Sequence, residues 1–480
     1  MITAPLAPTF DLDPAFLDAF RSGSLTETQA SEFAHRDPMQ IIFLLLAMSA
    51  AVSMRTRPAI GPHTPSSALP PYAKPPGKHR KQSPGAKPGH TGHCRPAPER
   101  IDRVVVHELP PCPCCGGVLA EGSPPRKRIV EDIPANLKVE AVEHIIPRGY
   151  CQTCRKQAEP KVADALPNAT IGHRATVLST WLHFGLGTTT SQVVEVLNGH
   201  LQCPISEGGL TDIWHRLAGI FEPWYRDIRD FCQDRPVLHM DETSWKTGSS
   251  NGWLWCATGG DATYYWIHPS RGHEGLGAFF TEEFSGVLVT DFWRAYDAVA
   301  KYQQKCWPHL LRDLKEIDAK DPTGEWLSFS KKLKRIYADG IRLKLARDTL
   351  AESAFDSQML ALHQRLHDLS MATWTHPDAR RLAKRLKIYW ESLLRFVEYR
   401  DVPSSNNKAE REIRPAVLMR KASYGSASER GAATRSVLMS IYRTLKQRGV
   451  DVLATTEAAL RAYVTTGQLP PLPQATTSGD

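Results

Sequence analysis

Pro236-Val-Leu-His-Met-Asp-Glu-Thr243 opens a segment of alternating apolar strands and turns that sets the fold class. Val237 to Met240 is a short apolar strand that ends at Asp241. Outward from it, Trp253 to Ala257 and Tyr264 to Ile267 read as aromatic-rich strands, with Gly259, Gly260 and Asp261 in the turn between them. A helix is expected over His273 to Phe284, then a second apolar strand, Val287 to Val289, ending at Asp291. Gln304 to Trp307 reads as a fifth strand and Leu310 to Ile317 as a helix. The order is a three-stranded antiparallel meander, then helix, strand, helix, strand, helix.

Helical patterns surround this segment. On its N-terminal side, Val177, Leu178, Trp181 and Leu182 are spaced for one helix. Two further helices, Ser191 to His200 and Glu207 to Leu217, flank Pro204. They could form a helix-turn-helix, although plain helical packing is the preferred reading of the pattern. On the C-terminal side, Ser328 to Tyr399 reads as almost entirely helical, and a further helix spans Ser428 to Gly449.

The whole chain has 480 residues, 41% hydrophobic and 23% charged, with a net charge of +8. This excludes a wholly disordered or collagen-like chain and allows about three domains. The basic balance is compatible with a polyanionic partner. The longest strongly apolar run, Ile41 to Val52, is too short for the about twenty residues a membrane span needs. It follows an acidic stretch with Asp11, Asp13 and Asp18 rather than a positive leader, so a cytoplasmic protein without membrane contact is expected. Residues 70–100 are rich in Pro, Gly and basic side chains, including Lys78, Arg80 and Lys81. Such a stretch cannot bury a core, so it reads as a linker: either a solvated tether or an arm lying along phosphates.

Cys112 and Cys115 are followed by Cys151 and Cys154. Two pairs at this spacing can offer four thiolates to one tetrahedral zinc, which would be structural because no coordination position stays open. Cys114 is surplus and leaves open which sulfur completes the first knuckle.

Asp241 and Asp291 both stand at strand ends, where a sheet rim presents side chains to ligands. Two carboxylates brought together there repel unless a cation lies between them, and their hard oxygens suit magnesium or manganese. The simpler reading makes them strand-end and capping aspartates, with Asp291 capping a helix from Phe292. A third element, Asn406-Asn-Lys-Ala-Glu-Arg-Glu-Ile-Arg-Pro415, places Glu410 three residues after Asn407, as in a capping box. Arg411, Arg414, Arg420 and Lys421 crowd the same segment, as polyphosphate contact would require. Pro415 is expected to kink or end the helix after Arg414.

These residues together resemble the insertion-sequence-66 family of DDE transposases. The resemblance rests on Asp-Glu-Thr at 241–243, Thr-Asp at 290–291 with Tyr296, Asn-Asn-x-Ala-Glu-Arg-x-Ile-Arg-Pro at 406–415, and Arg420-Lys421. Cys306-Trp-Pro-His309 with Arg312 resembles the family's Cys-x-x-His signature, and the cysteine pairs resemble its zinc region. The resemblance implies an α+β multidomain chain: an N-terminal helical segment (1–69), a basic linker (70–100), a zinc-ribbon-like module (101–165) and a helical DNA-binding region (166–232). A ribonuclease-H-like mixed-sheet core (233–465) would follow, with a helical insertion at about 320–400, then a disordered tail (466–480). Asp241, Asp291 and Glu410 would be the catalytic acids holding two Mg2+ or Mn2+ ions, with Cys306 and His309 in support. Arg312 and the basic residues named above would contact DNA. The implied reaction is cleavage at transposon ends followed by strand transfer into target DNA. The implied partners are DNA, further copies of the chain and small accessory proteins of the element. A sequence-specific DNA-binding protein, or a nuclease or resolvase without strand transfer, is the alternative.

Overall fold

The computed structural model describes residues 98–107, 114–118, 127–131, 133, 137–321 and 324–475. The N-terminal segment, Lys78, Arg80, Lys81 and Cys112 lie outside the described residues.

A five-stranded mixed sheet forms the centre. Its strands are β3 (Val237–Thr247), β4 (Ser250–Gly259), β5 (Ala262–His268), β6 (Phe284–Thr290) and β7 (Ala300–Lys305), in the order β5-β4-β3-β6-β7. They follow a small exposed hairpin, β1 (Gly149–Cys151) and β2 (Lys156–Ala158). The pairs β3–β4 and β4–β5 are antiparallel, whereas β3–β6 and β6–β7 are parallel. The expected meander and the strand before Asp291 are therefore present, whereas the fifth strand lies earlier than expected, at Ala300–Lys305, and Trp307 already opens a helix. β3 runs well past its apolar start, because β4 continues the ladder with Asp241 opposite Cys256 and Thr247 opposite Ser250.

Helices cover both faces, and the two-residue period of β6 shows how. Leu288 enters one core, while Val287 and Val289 enter the other. The first core gathers α1 (His173–Thr180), α2 (Thr190–Glu195) and α3 (Glu207–Gln233) with three C-terminal helices. On α3, Trp214, Leu217, Phe221, Trp224 and Ile228 recur every three or four residues and are all buried. Region 166–232 thus shares one core with the sheet. The second core holds α5 (Trp307–Lys320), α6 (Gly324–Ala346), α7 (Glu352–Met371) and α8 (Pro377–Glu398). The last three occupy the place of the expected insertion, between β7 and the segment carrying Glu410. The C-terminal helices are α9 (Asn407–Ser423), α10 (Glu429–Gln447) and α11 (Val452–Thr466).

Three expectations are corrected. The helix over 273–284 is only α4 (His273–Gly277), and Phe284 opens β6. Gly275 sits so close to the Trp255 ring and the Ser270 carbonyl that a Cβ there would meet them at 2.9 and 2.4 Å. Pro415 does not end its helix: α9 continues to Ser423. An interior proline costs about 3 kcal/mol, but burial of Val417 and Met419 beyond it returns about 1.5–3 kcal/mol for each. The tail is not loose up to residue 473. The Pro470 carbonyl accepts from Trp224 Nε1 at 2.7 Å, Leu472 is buried, and the Pro473 carbonyl accepts from Arg448.

Candidate active site

The parallel register of β3 and β6 pairs Val237 with Val287, Leu238 with Leu288 and His239 with Val289. Each pair is offset by 50 residues (287 − 237), which is also the separation of Asp241 and Asp291 (291 − 241). Continued two residues further, the same offset brings Asp241, inside β3, and Asp291, one residue past β6, to the C-terminal end of the parallel β3–β6 pairing, and Asp241 feels the Asp291 charge. Ligands commonly bind at that end of such strands.

Glu410 arrives from a distant part of the chain, and α9 is anchored along β3 at both ends to bring it there. At the N-terminal end, Asn406 donates its side-chain amide to the Met240 carbonyl (2.7 Å) and lies 3.2 Å from His239 Nδ1. Its backbone N–H donates to Cys306 Sγ at 3.2 Å. At the other end, Ser426 N–H donates to the Lys246 carbonyl (2.8 Å), and Gly248 N–H donates back to the Ser426 carbonyl (2.9 Å). Gly425 permits this approach: its φ is +131°, and a Cβ would lie 2.1 Å from the Lys246 carbonyl oxygen. The expected capping box is absent. Asn406, not Asn407, precedes the helix, and its side chain serves β3 instead of its own first turn.

The carboxyls feel one another. Burial, then Glu242, Asp291 and Glu410, push Asp241 well above the usual carboxylate range. Among the described residues, however, the three ligand-type groups that close to within 4.8 Å are Cys306, His309 and Glu410. Glu410 Oε1 lies 3.9 Å from His309 Nδ1, and both atoms are enclosed without a hydrogen-bond partner. An enclosed, unpartnered carboxylate oxygen near two repelling carboxyls is a donor set that suits a hard divalent cation. Asp291 is not the cap of a helix beginning at Phe292. Its Oδ1 accepts from Trp293 N–H at 2.8 Å, and the next helical turn begins at Arg294.

A second layer went unrecognised in the sequence. Glu242, on the opposite face of β3 from Asp241, is 3% exposed and accepts from Arg271 Nε (3.0 Å) and Nη2 (2.8 Å), and from the Tyr296 hydroxyl. Burial, then Asp291, raises it to about 7 despite Arg271 and Tyr296. Arg271 lies over the rings of Trp253 and Trp293. Fully buried Lys305 pairs with Asp297 at 3.0 Å and donates to Thr290 Oγ1 at 3.2 Å, directly before Asp291. The Asp-Glu pair at a strand end was the available clue, since period two sends adjacent carboxylates to opposite faces. Lys305 carried no local signal.

The cations divide into two groups. Arg411, Arg414, Lys421 and Arg312 are exposed. Arg420 is engaged with β3, through Thr243 Oγ1 (3.0 Å), the Ser244 carbonyl (2.8 Å) and the Ser244 hydroxyl. Glu412 is buried and paired with Arg443 and Arg411. Cys114, Cys115, Cys151 and Cys154 are exposed free thiols. Cys151 and Cys154 sit in and beside the β1–β2 hairpin, and hydrogen bonds from Cys154 lower the Cys151 thiol. Among the described residues no helix is long and apolar enough to cross a membrane.

Residues 169–434 match the Transposase IS66 family. This span contains the whole sheet, the three carboxylates and α3, and is more than half of the chain. Two relatives from Sinorhizobium fredii (strain NBRC 101917 / NGR234) bear the names "Uncharacterized protein y4jD" and "Uncharacterized protein y4hP". The first is 24% identical over 408 residues, covering 74% of this chain and 75% of the relative. The second is 21% identical over 411 residues, covering 74% and 71%.

Proposed function

This chain belongs to the Transposase IS66 family, and from that premise we propose that it cuts DNA at the ends of its element and joins the freed 3′ ends to target DNA. The core would be ribonuclease-H-like, and the strand order β5-β4-β3-β6-β7 with one antiparallel and one parallel half supports that reading. The observation that carries the chemistry is the shared 50-residue offset of the β3–β6 register and the two aspartates, with Glu410 delivered to the same strand by Asn406.

Asp241, Asp291 and Glu410 would hold two Mg2+ or Mn2+ ions. When bound, such a pair supplies positive charge that activates the attacking oxygen and stabilises the leaving one in an in-line displacement at phosphorus. The chain's own residues do the rest. Asn406 sets the position of the Glu410 helix against β3. Glu242, held by Arg271 and Tyr296, stiffens the strand under Asp241. Arg411, Arg414, Lys421 and Arg312 supply solvent-facing cations for phosphate contact.

In the same reading, Lys78, Arg80 and Lys81 lie along the DNA backbone, and Cys112, Cys115, Cys151 and Cys154 hold a structural zinc in a ribbon-like module. With the helical region 166–232 this module would recognise terminal inverted repeats. Further copies of the chain, and small accessory proteins of the element, complete the complex. The test is an incubation of purified protein with Mg2+ and a plasmid bearing the inverted repeats that flank its own gene. Joined strand-transfer products support the proposal. Nicks that never progress to joining favour a nuclease, and binding without nicks removes the enzyme.

A further inference from the structure

Glu410 stands beside two groups, Cys306 and His309, whose ligand atoms are sulfur and nitrogen. Cys306 and His309 are the residue before α5 and the third residue of its run, three positions apart, so one helical turn presents both to the same side. Cys306 Sγ already accepts the Asn406 N–H at 3.2 Å. That contact fixes the position of the sulfur beside α5. The ligand atoms of Cys306, His309 and Glu410 all lie within 4.8 Å of one another.

His309 Nδ1 and Glu410 Oε1 are each enclosed without a hydrogen-bond partner and stand 3.9 Å apart. That is too far for a hydrogen bond. It is near the separation of two ligands on one tetrahedral ion, about 3.3–3.8 Å for bonds of about 2.0–2.3 Å. The side chains of His309 and Glu410 remain 27% and 29% exposed, which leaves an entry path and room for a water as fourth ligand.

We propose that Cys306, His309 and Glu410 form a soft-metal site that takes a zinc-class ion, separate from the all-oxygen site of Asp241 and Asp291. One sulfur, one imidazole nitrogen and one carboxylate oxygen are the donors zinc favours and magnesium does not. On binding, the S–H bond of Cys306 breaks, its proton leaves to solvent and a sulfur–metal bond forms; no electrons change hands. Glu410 then belongs to the soft ion. On the reading of Asp241, Asp291 and Glu410 as one hard-cation site, the two sites compete for Glu410.

The test uses the full chain carrying Cys115→Ser and Cys154→Ser, titrated with Co2+ alone and followed by the thiolate–cobalt absorption. One equivalent of Co2+ with that band, displaced by Zn2+, is expected. His309→Gln and Cys306→Ser should each weaken binding at least tenfold, with thermal melting used to establish that both variants fold. Equal binding in parent and variants, or no thiolate band, overturns the site. Excess Mg2+ should raise the apparent Co2+ Kd in the parent and not in Asp241→Asn. An Mg2+-independent Kd in the parent overturns the competition. Neither readout uses DNA cleavage, so failure of the transposase reading would show separately, as absent cleavage with cobalt binding intact.

Discussion

The Asn406 side chain donates to the Met240 carbonyl across 2.7 Å, and this bond fastens the start of the Glu410 helix to the residue before Asp241. Asn406 is 1% exposed, and its other partner, His239, is buried too. Replacing it with Ala leaves a carbonyl and an imidazole enclosed without partners, at a cost of about 1–3 kcal/mol. Asn406→Ala should lower the melting temperature and reduce strand cleavage at least tenfold while end binding, read by gel shift, persists. Unchanged cleavage in a folded Asn406→Ala protein would show that this anchor does not position Glu410.

Arginines on one helix should behave differently. Arg411 and Arg414 are exposed, and their replacement by Ala should flatten the dependence of DNA binding on salt, by about 0.9 in log–log slope for each phosphate left without its cation. Arg420 is bonded to Thr243 and Ser244, so Arg420→Ala should cost stability and leave the salt slope alone. Titrations at several salt concentrations separate the two outcomes.

Glu242 makes a pH prediction. Its folded value is about 7 against 4.5 for the free side chain, so between those values the folded state holds a proton that the unfolded state releases. The contribution is fully present below about 4.5 and is lost as pH rises through about 7, on the order of 3 kcal/mol. Urea melts across this window should therefore show wild-type stability falling relative to Glu242→Gln. Parallel curves for the two proteins would remove Glu242 as the source.

Tyr389 links α8 to the site. Its φ/ψ of −113°/19° breaks the helical geometry of α8, and its hydroxyl donates to Asp297 at 2.7 Å, the partner of buried Lys305. Lys305 in turn donates to Thr290 beside Asp291. Tyr389→Phe should cost about 1 kcal/mol in denaturant melts and lower cleavage several-fold. A stability loss with unchanged cleavage would make the link purely structural.

Much of the sheet was legible because Val237 to Met240 and Val287 to Val289 are apolar runs that a two-sided core demands. The polar continuation of β3 was not, since Asp241 to Thr247 join the strand through β4 rather than through their own pattern. Pro415 misled for the same reason: a local cost was outweighed by burial that only the folded chain supplies. Asn406 belongs to the Asn-Asn-x-Ala-Glu-Arg run, yet its work lies 166 residues away at Met240. Buried Lys305 needs Asp297 and Thr290 around it, and nothing near it in sequence announces either.

We propose that Glu410 acts with Asp241 and Asp291 on DNA, whereas Glu412, paired with Arg443, holds the fold. The direct measurement is Mg2+-dependent nicking of inverted-repeat DNA by Glu410→Gln, beside gel-shift binding and thermal melting of the same protein. Nicking should be lost, with binding and melting temperature nearly unchanged. Nicking at the wild-type rate by folded Glu410→Gln would contradict the proposal.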